Sequence, residues 1–188
     1  MRAPEVQKIL VKEFGPLMKA RGYHRTKPAL AYGKNLANRE HRVIFGFTRH
    51  VVDLEMFGSH FTLVFCTLPD GEGRGTGSVL LGRLLSLDER LDAARLNSAV
   101  RQKVRASMLA WARAQPDDGV RHAYETAPDK TPRPEDEAKM PNINFEYRDE
   151  EDVQRIVAFL RPRLPLVLDA FEQLVDGAPE AGRCPTSR

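Results

Sequence analysis

Hydrophobic positions along the chain switch from a helical period to a strand period and back, and the switches mark out its elements. Val6, Ile9, Leu10, Phe14, Leu17 and Met18 recur at three- and four-residue steps, the stripe of an amphipathic α-helix. Pro4 suits its first turn and Gly22 its stop. Residues 29–34, 42–49 and 60–68 then read as strands. Val43, Phe45 and Phe47 form one alternating set and Phe61, Leu63 and Phe65 another, and the short polar joints predict an antiparallel meander. VVDLEMFGS, from residue 51, reads either as a hairpin extension through Val52, Leu54 and Met56 or as an irregular excursion.

Residues 70–77, DGEGRGTG, alternate glycine with other residues, which makes a regular element costly in backbone entropy and predicts a moving loop. Leu80, Leu81, Leu84 and Leu85 then open a helical pattern. Ser86 to Glu89 fits a capping box, and Val100, Val104, Met108 and Trp111 predict a second helix over about Asn97 to Ala114. From Pro116 to Pro141 the composition turns to Pro, Asp, Glu, Lys and Thr, so 116–141 is expected to be an irregular surface connection.

INFEY at 143–147 predicts a further strand, and Asp149 caps a last helix. Its buried stripe is Val153, Ile156, Val157, Leu160, Leu164, Leu168, Phe171 and Leu174, and Pro162 and Pro165 predict a kink or break within it. Residues 176–188 read as a flexible tail, and the chain shows no internal repeat. The pattern gives a single α+β domain over 1–175: an antiparallel sheet of about four strands packed against the N- and C-terminal helices, with a helical insert.

Length and composition narrow the class. A 188-residue chain buries roughly 70% of its unfolded surface, enough for a core without staples. Cys66 stands in an apolar strand and Cys184 in the polar tail, which argues against a disulfide or a cysteine metal site and for a free, buried Cys66. No apolar stretch approaches the ~18 residues that span a bilayer, and the N-terminus lacks a signal-peptide pattern, so a soluble cytoplasmic protein without a membrane partner is expected. Its many Arg and Ala suit a GC-rich bacterial genome.

Charge is divided unevenly. Residues 1–50 carry eleven Lys and Arg against three acids, Glu5, Glu13 and Glu40, for a net +8, while the rest of the +3 chain sums to −5. The two parts are expected to attract each other or to face different partners.

The Gly22–Tyr23 pair ending the first helix, the Phe61–Thr62 pair in a strand, and the aromatic Phe145 and Tyr147 leading into the acids Asp149 to Asp152 form a recognisable order. In that order the chain resembles the bacterial domain-of-unknown-function family numbered 4304. The resemblance implies a small α+β cytosolic protein, and it carries no functional residue onto this chain. Some similar small domains serve as immunity proteins beside bacterial toxins, an analogy of size and style.

No motif of established chemistry accompanies this scaffold. His24, His41, His50 and His60 fall in or beside strands at spacings that match no zinc signature, so surface or hydrogen-bonding roles are preferred to a metal site; His122 lies by the irregular connection. The glycine loop lacks the Gly-Lys-Ser/Thr of a phosphate cradle and the spacing of a dinucleotide site. Ser59, Ser78 and Ser86 lack a nucleophile elbow, and apolar surroundings raise the pKa of Cys66.

The basic cluster of Arg21, Arg25, Lys27, Lys34, Arg39, Arg42 and Arg49, with Tyr23 and Tyr32 interleaved, is the clearest binding candidate. Such a face neutralises phosphates and stacks on bases, while solvated strand edges favour the same residues. The leading expectation is a protein-binding, immunity-like module with no cofactor and no catalytic residue, its partner a protein such as a toxin. The alternatives are nucleic-acid binding through residues 21–49 and an enzyme with a dispersed site under the glycine loop, around His50 or His60.

Overall fold

The computed structural model describes residues 1–27, 30–36, 39–48, 59–69, 77–129 and 131–176. Arg49, His50, residues 51–58, the glycine loop over 70–76, Cys184 and the tail from 177 therefore lie outside the described residues.

Helix α1 (Ala3–Ala20) buries Val6, Leu10, Phe14 and Met18. It ends as its sequence predicts. Gly22 adopts φ +80°, its N–H donates to the Lys19 carbonyl at 3.0 Å, and the Tyr23 N–H donates to the Met18 carbonyl at 2.9 Å. These are the paired bonds of a Schellman end, which needs the left-handed conformation glycine reaches without strain.

The strands form one antiparallel sheet of six: β1 (His24–Thr26), β2 (Leu30–Leu36), β3 (Arg39–Phe47), β4 (Ser59–Pro69), β5 (Gly77–Leu80) and β6 (Asn144–Tyr147). β1 and β5, beyond the expected four, are too short for alternation to show. Leu80 belongs to β5 rather than to a helix. Val43 lies opposite Phe65, Phe45 opposite Leu63 and Phe47 opposite Phe61, so the two alternating sets share one face. That face forms the core with α1 and with α5 (Glu150–Asp176). Phe61 is fully buried at its centre, with ring centroids 5.5 Å from Phe47, 5.6 Å from Phe145 and 6.3 Å from Phe45.

One edge of β4 is shared by two strands. β5 pairs with Val64 to Thr67 and β6 with Ser59 to Thr62, end to end, while β3 holds the other edge. β5 and β6 thus act as a single edge strand interrupted by the insert. The insert leaves opposite Val64 and returns opposite Thr62.

Within it come a 3₁₀ turn (Leu81–Arg83), α2 (Leu87–Arg113), α3 (Asp118–Thr126) and α4 (Pro134–Glu137). The capping box forms as read: the Glu89 N–H donates to Ser86 Oγ at 3.3 Å and the Ser86 N–H to Glu89 Oε2 at 2.9 Å. From this cap one helix runs through to Arg113, in place of the expected second start near Asn97, because no Gly or Pro interrupts the stretch.

Four other expectations change. The 116–141 connection stays on the surface but holds two short helices, α3 being capped by Asp117, whose carboxylate accepts from the Gly119 N–H at 2.7 Å. Helix α5 continues through Pro162 and Pro165 without a break, and the Arg163 guanidinium donates to the Phe159 carbonyl in this stretch. Its buried stripe ends at Phe171, leaving Leu174 56% exposed. Cys66 is free but only half-buried, since on β4 it points away from the core-facing set of Phe61, Leu63 and Phe65.

Candidate functional site

α2 is held to the sheet edge by a polar latch. Asn97, 1% exposed, donates to the Glu137 carboxylate and to the Asn144 carbonyl, each at 2.7 Å, and its carbonyl accepts from the Glu146 N–H at 3.0 Å. One turn on, Arg101 stands between two carboxylates. It donates to Glu137 at 2.6 and 3.1 Å and, from Nε, to Glu146 at 2.9 and 3.0 Å. Burial works against the charged guanidinium, yet the hydrogen bonds to Glu146 and Glu137 carry its pKa above the ordinary arginine value. The latch joins α2, α4 and β6 in one network.

Beside it lies a trough of about 400 Å³ between α2 and residues 124–129 and 131–132. Its walls are Val104, Met108, Leu109, Tyr124, Pro128 and Pro132, and its polar groups are Arg101, Arg105, Asp129, Thr131 and Glu146. The lining is mixed, an apolar wall beside two arginines and two carboxylates. Arg105 pairs with Asp129 at 2.9 Å, and Arg113 with Glu125 at 3.0 Å. Hydrogen bonds from Thr131 first, and Arg105 beyond them, hold the Asp129 carboxyl below its ordinary value. Trp111 is 41% exposed and meets Tyr124 edge-on at 5.7 Å. Among the described residues, no His, Cys or Lys lines the trough.

On the other side of α2, Lys103 Nζ lies 2.6 Å from buried Asp152 and 3.4 Å from both Asp149 and Glu151. The Asp152 hydrogen bond, ahead of the other acids, raises the Lys103 pKa.

The basic residues singled out in the sequence are spread over several settings. Arg21 closes α1 and makes a two-pronged pair with Asp169 of α5. Lys34, on the core-facing side of β2, lies 3.0 Å from Glu172 and 5.4 Å from the Tyr23 ring centre. The Tyr23 hydroxyl donates to the same Glu172 oxygen at 3.0 Å, and burial, ahead of the Glu172 charge, pushes that phenol up. Arg42, on the opposite face, grips Glu40 through bonds of 2.7 and 2.8 Å. Arg25 and Lys27 are exposed, and Arg39 is half-buried at the start of β3. Ion pairs join the N-terminal part to the remainder in both senses: Arg21–Asp169 and Lys34–Glu172 put the cation on the N-terminal part, and Arg161–Glu13 puts the acid there.

His41 is buried on the core side of the sheet, its ring centre 5.4 Å from that of Phe171. His60 is half-buried, and His24 and His122 are exposed. Among the described residues no group of three His, Cys, Asp or Glu side chains could hold a metal ion, and no helix is long and apolar enough to cross a membrane.

Comparison with protein-family models, curated proteins and solved structures finds no match. The trough was not singled out in the sequence. Val104, Met108 and Trp111 carry a helical spacing that suits a buried stripe equally well; the local signal beside them is charge, since residues 93–113 hold five cations and no acid.

Proposed function

We propose that the protein is a protein-binding module, immunity-like in acting by occupying a partner rather than by turnover, and that the partner seats on the trough beside α2. The observation that carries this reading is the exposed Trp111, set edge-on against Tyr124 next to a cleft walled by Val104, Met108 and Leu109. Trp, Tyr and Arg dominate the energy of protein interfaces, where a central apolar anchor is ringed by polar groups. The charged groups of the trough are engaged with one another, which suits recognition better than proton transfer. The alternative of nucleic-acid binding through residues 21–49 has less support, because Arg21, Lys34 and Arg42 are engaged by Asp169, Glu172 and Glu40.

The test is capture from host lysate, with and without nuclease treatment, using tagged wild-type chain and Trp111→Ala and Met108→Asp variants. A stoichiometric protein that survives high salt on the wild type and is lost on both variants is the expected result. A protein kept by all three rejects the trough as the interface. Salt-sensitive nucleic acid recovered before nuclease treatment, with no protein, rejects the module reading in favour of the basic residues.

A further inference from the structure

Beyond its first two turns α2 carries charge of one sign. From Ala93 to Arg113 it carries Arg95, Arg101, Lys103, Arg105 and Arg113 and no acid. All of these except Arg95 meet carboxylates supplied by other elements. The contacts weaken along the helix. Arg101 is clamped by Glu137 and Glu146, and Lys103 by buried Asp152. Arg105 and Arg113, at the open end, hold Asp129 and Glu125, whose side chains are 54% and 41% exposed. Ion pairs in such settings hold elements together weakly and are screened by salt.

The strap that supplies these two acids is largely exposed. α3 buries none of its residues, and its ring contact to α2 is Tyr124 on Trp111. It nevertheless presents a definite pattern to α2: an aromatic at 124, an acid beside it at 125, and a second acid four residues further on at 129. The pattern complements Trp111, Arg113 and Arg105 in turn.

We propose that this end of α2 is the docking helix for an acidic amphipathic segment of a protein partner, and that α3 with Asp129 is an internal stand-in which the partner displaces. The proposal rests on the protein-binding reading above and gives the partner its chemistry: an apolar or aromatic anchor for the trough, flanked by carboxylates for Arg105 and Arg113. Charge complementarity favours an anionic occupant, and the aliphatic walls of Val104, Met108 and Leu109 favour peptide side chains over a phosphate backbone.

Trp111 is the only tryptophan in the chain, so its emission reports on this surface directly. The probe is a synthetic tryptophan-free helix of about 16 residues, long enough to lie along this end of α2, with Leu and Phe at i, i+3, i+4 and i+7 and Glu on the flanks. Its Lys-for-Glu counterpart and an oligothymidylate serve as comparisons. The proteins are the full chain, a strap-release variant Glu125→Gln/Asp129→Asn that breaks both ion pairs without adding a cation, and a cation-reversal variant Arg105→Glu/Arg113→Glu backed by the milder Arg105→Gln/Arg113→Gln. Far-ultraviolet circular dichroism confirms that each is folded.

The Glu peptide is expected to shift Trp111 emission saturably, to bind the release variant roughly tenfold more tightly once the competing strap is removed, and to lose most binding with either Arg variant. Absence of binding to the release variant, or equal binding to all variants, overturns the proposal. Preferential binding of oligothymidylate or of the Lys peptide also overturns it. If the captured host protein is lost with Trp111→Ala but kept with Arg105→Glu/Arg113→Glu, the module reading survives and the acidic partner falls. If capture ignores Trp111, the seat of the module itself is wrong.

Discussion

Gly82 packs against the backbone of Pro141 so closely that a Cβ at position 82 would stand 2.4 Å from the Pro141 carbonyl oxygen. The first turn of the insert and its last residues meet at this point, which is how an edge strand can be interrupted and resumed beside itself. The Thr62 hydroxyl, donating to the Ile143 carbonyl at 3.0 Å, ties the returning chain to β4. Gly82→Ala must push backbone rather than a pliable side chain, so a loss of about 1–3 kcal/mol is expected. Urea unfolding measures it, and an unchanged midpoint would show that the two ends of the insert separate easily.

Asn97 replaces backbone partners that α2 and β6 cannot give each other. Its amide satisfies the Asn144 carbonyl and the Glu146 N–H inside the protein. Asn97→Leu leaves both unpaired and removes a hydrogen bond to Glu137, for an expected loss of about 2–4 kcal/mol in guanidinium unfolding. A loss under about 0.5 kcal/mol, the scatter of ordinary surface substitutions, would mean that water replaces the side chain and that the latch adds little.

The capping box at Ser86 gives stability a defined pH dependence. The Ser86 backbone N–H, ahead of its hydroxyl and of Arg163, holds the Glu89 carboxyl below its ordinary value of 4.5. A carboxyl with a lowered folded pKa stabilises fully above the unfolded value and loses that contribution as pH falls through the folded one. Glu89→Gln should therefore flatten the decline of stability below about pH 4.5 while lowering stability at pH 7. Ser86→Ala should cost about 1 kcal/mol at pH 7, and the difference should shrink in acid. Thermal unfolding across pH 3–7 checks both, and parallel curves for wild type and Glu89→Gln would refute the assignment.

Burial pushes the Cys66 thiol up, with Glu40 adding to the effect and the Arg42 guanidinium opposing it. In a Cys184→Ser background, Cys66 should react with iodoacetamide more slowly than a free thiol of ordinary pKa at mildly alkaline pH. Arg42→Gln should slow it further, because it removes the opposing cation and leaves Glu40 nearby. Reaction at the free-thiol rate would show that the half-buried site opens readily.

Several local features could be read from residue order because their causes lie within a few residues. Gly22 ends α1 since the Schellman bonds join Met18, Lys19, Gly22 and Tyr23. Ser86 and Glu89 cap α2 by bonds spanning one turn. The alternation of Val43, Phe45 and Phe47 follows from the pleat. Less could be read where an element is short, as in β1 and β5, or where tertiary contacts support a sequence against its local preference, as α5 is supported through Pro162 and Pro165.

The basic residues of 21–49 show the same division at the level of function. Their types were evident, but their partners, Asp169 and Glu172, stand far along the chain on α5, and only folding brings them to Arg21 and Lys34.

Residue order thus established the α+β class, the periods of the major helices and strands, and the caps, all governed by neighbours a turn or a pleat apart. Folding decided which apolar stripe is covered. The stripe of α1 and the row of Val104, Met108 and Trp111 share a helical spacing, yet α1 buries its stripe against the sheet, Phe14 on Phe45, while Val104 and Met108 of α2 stay half-buried and Trp111 exposed. Periodicity places side chains on one face of a helix; burial depends on what the rest of the chain packs against that face.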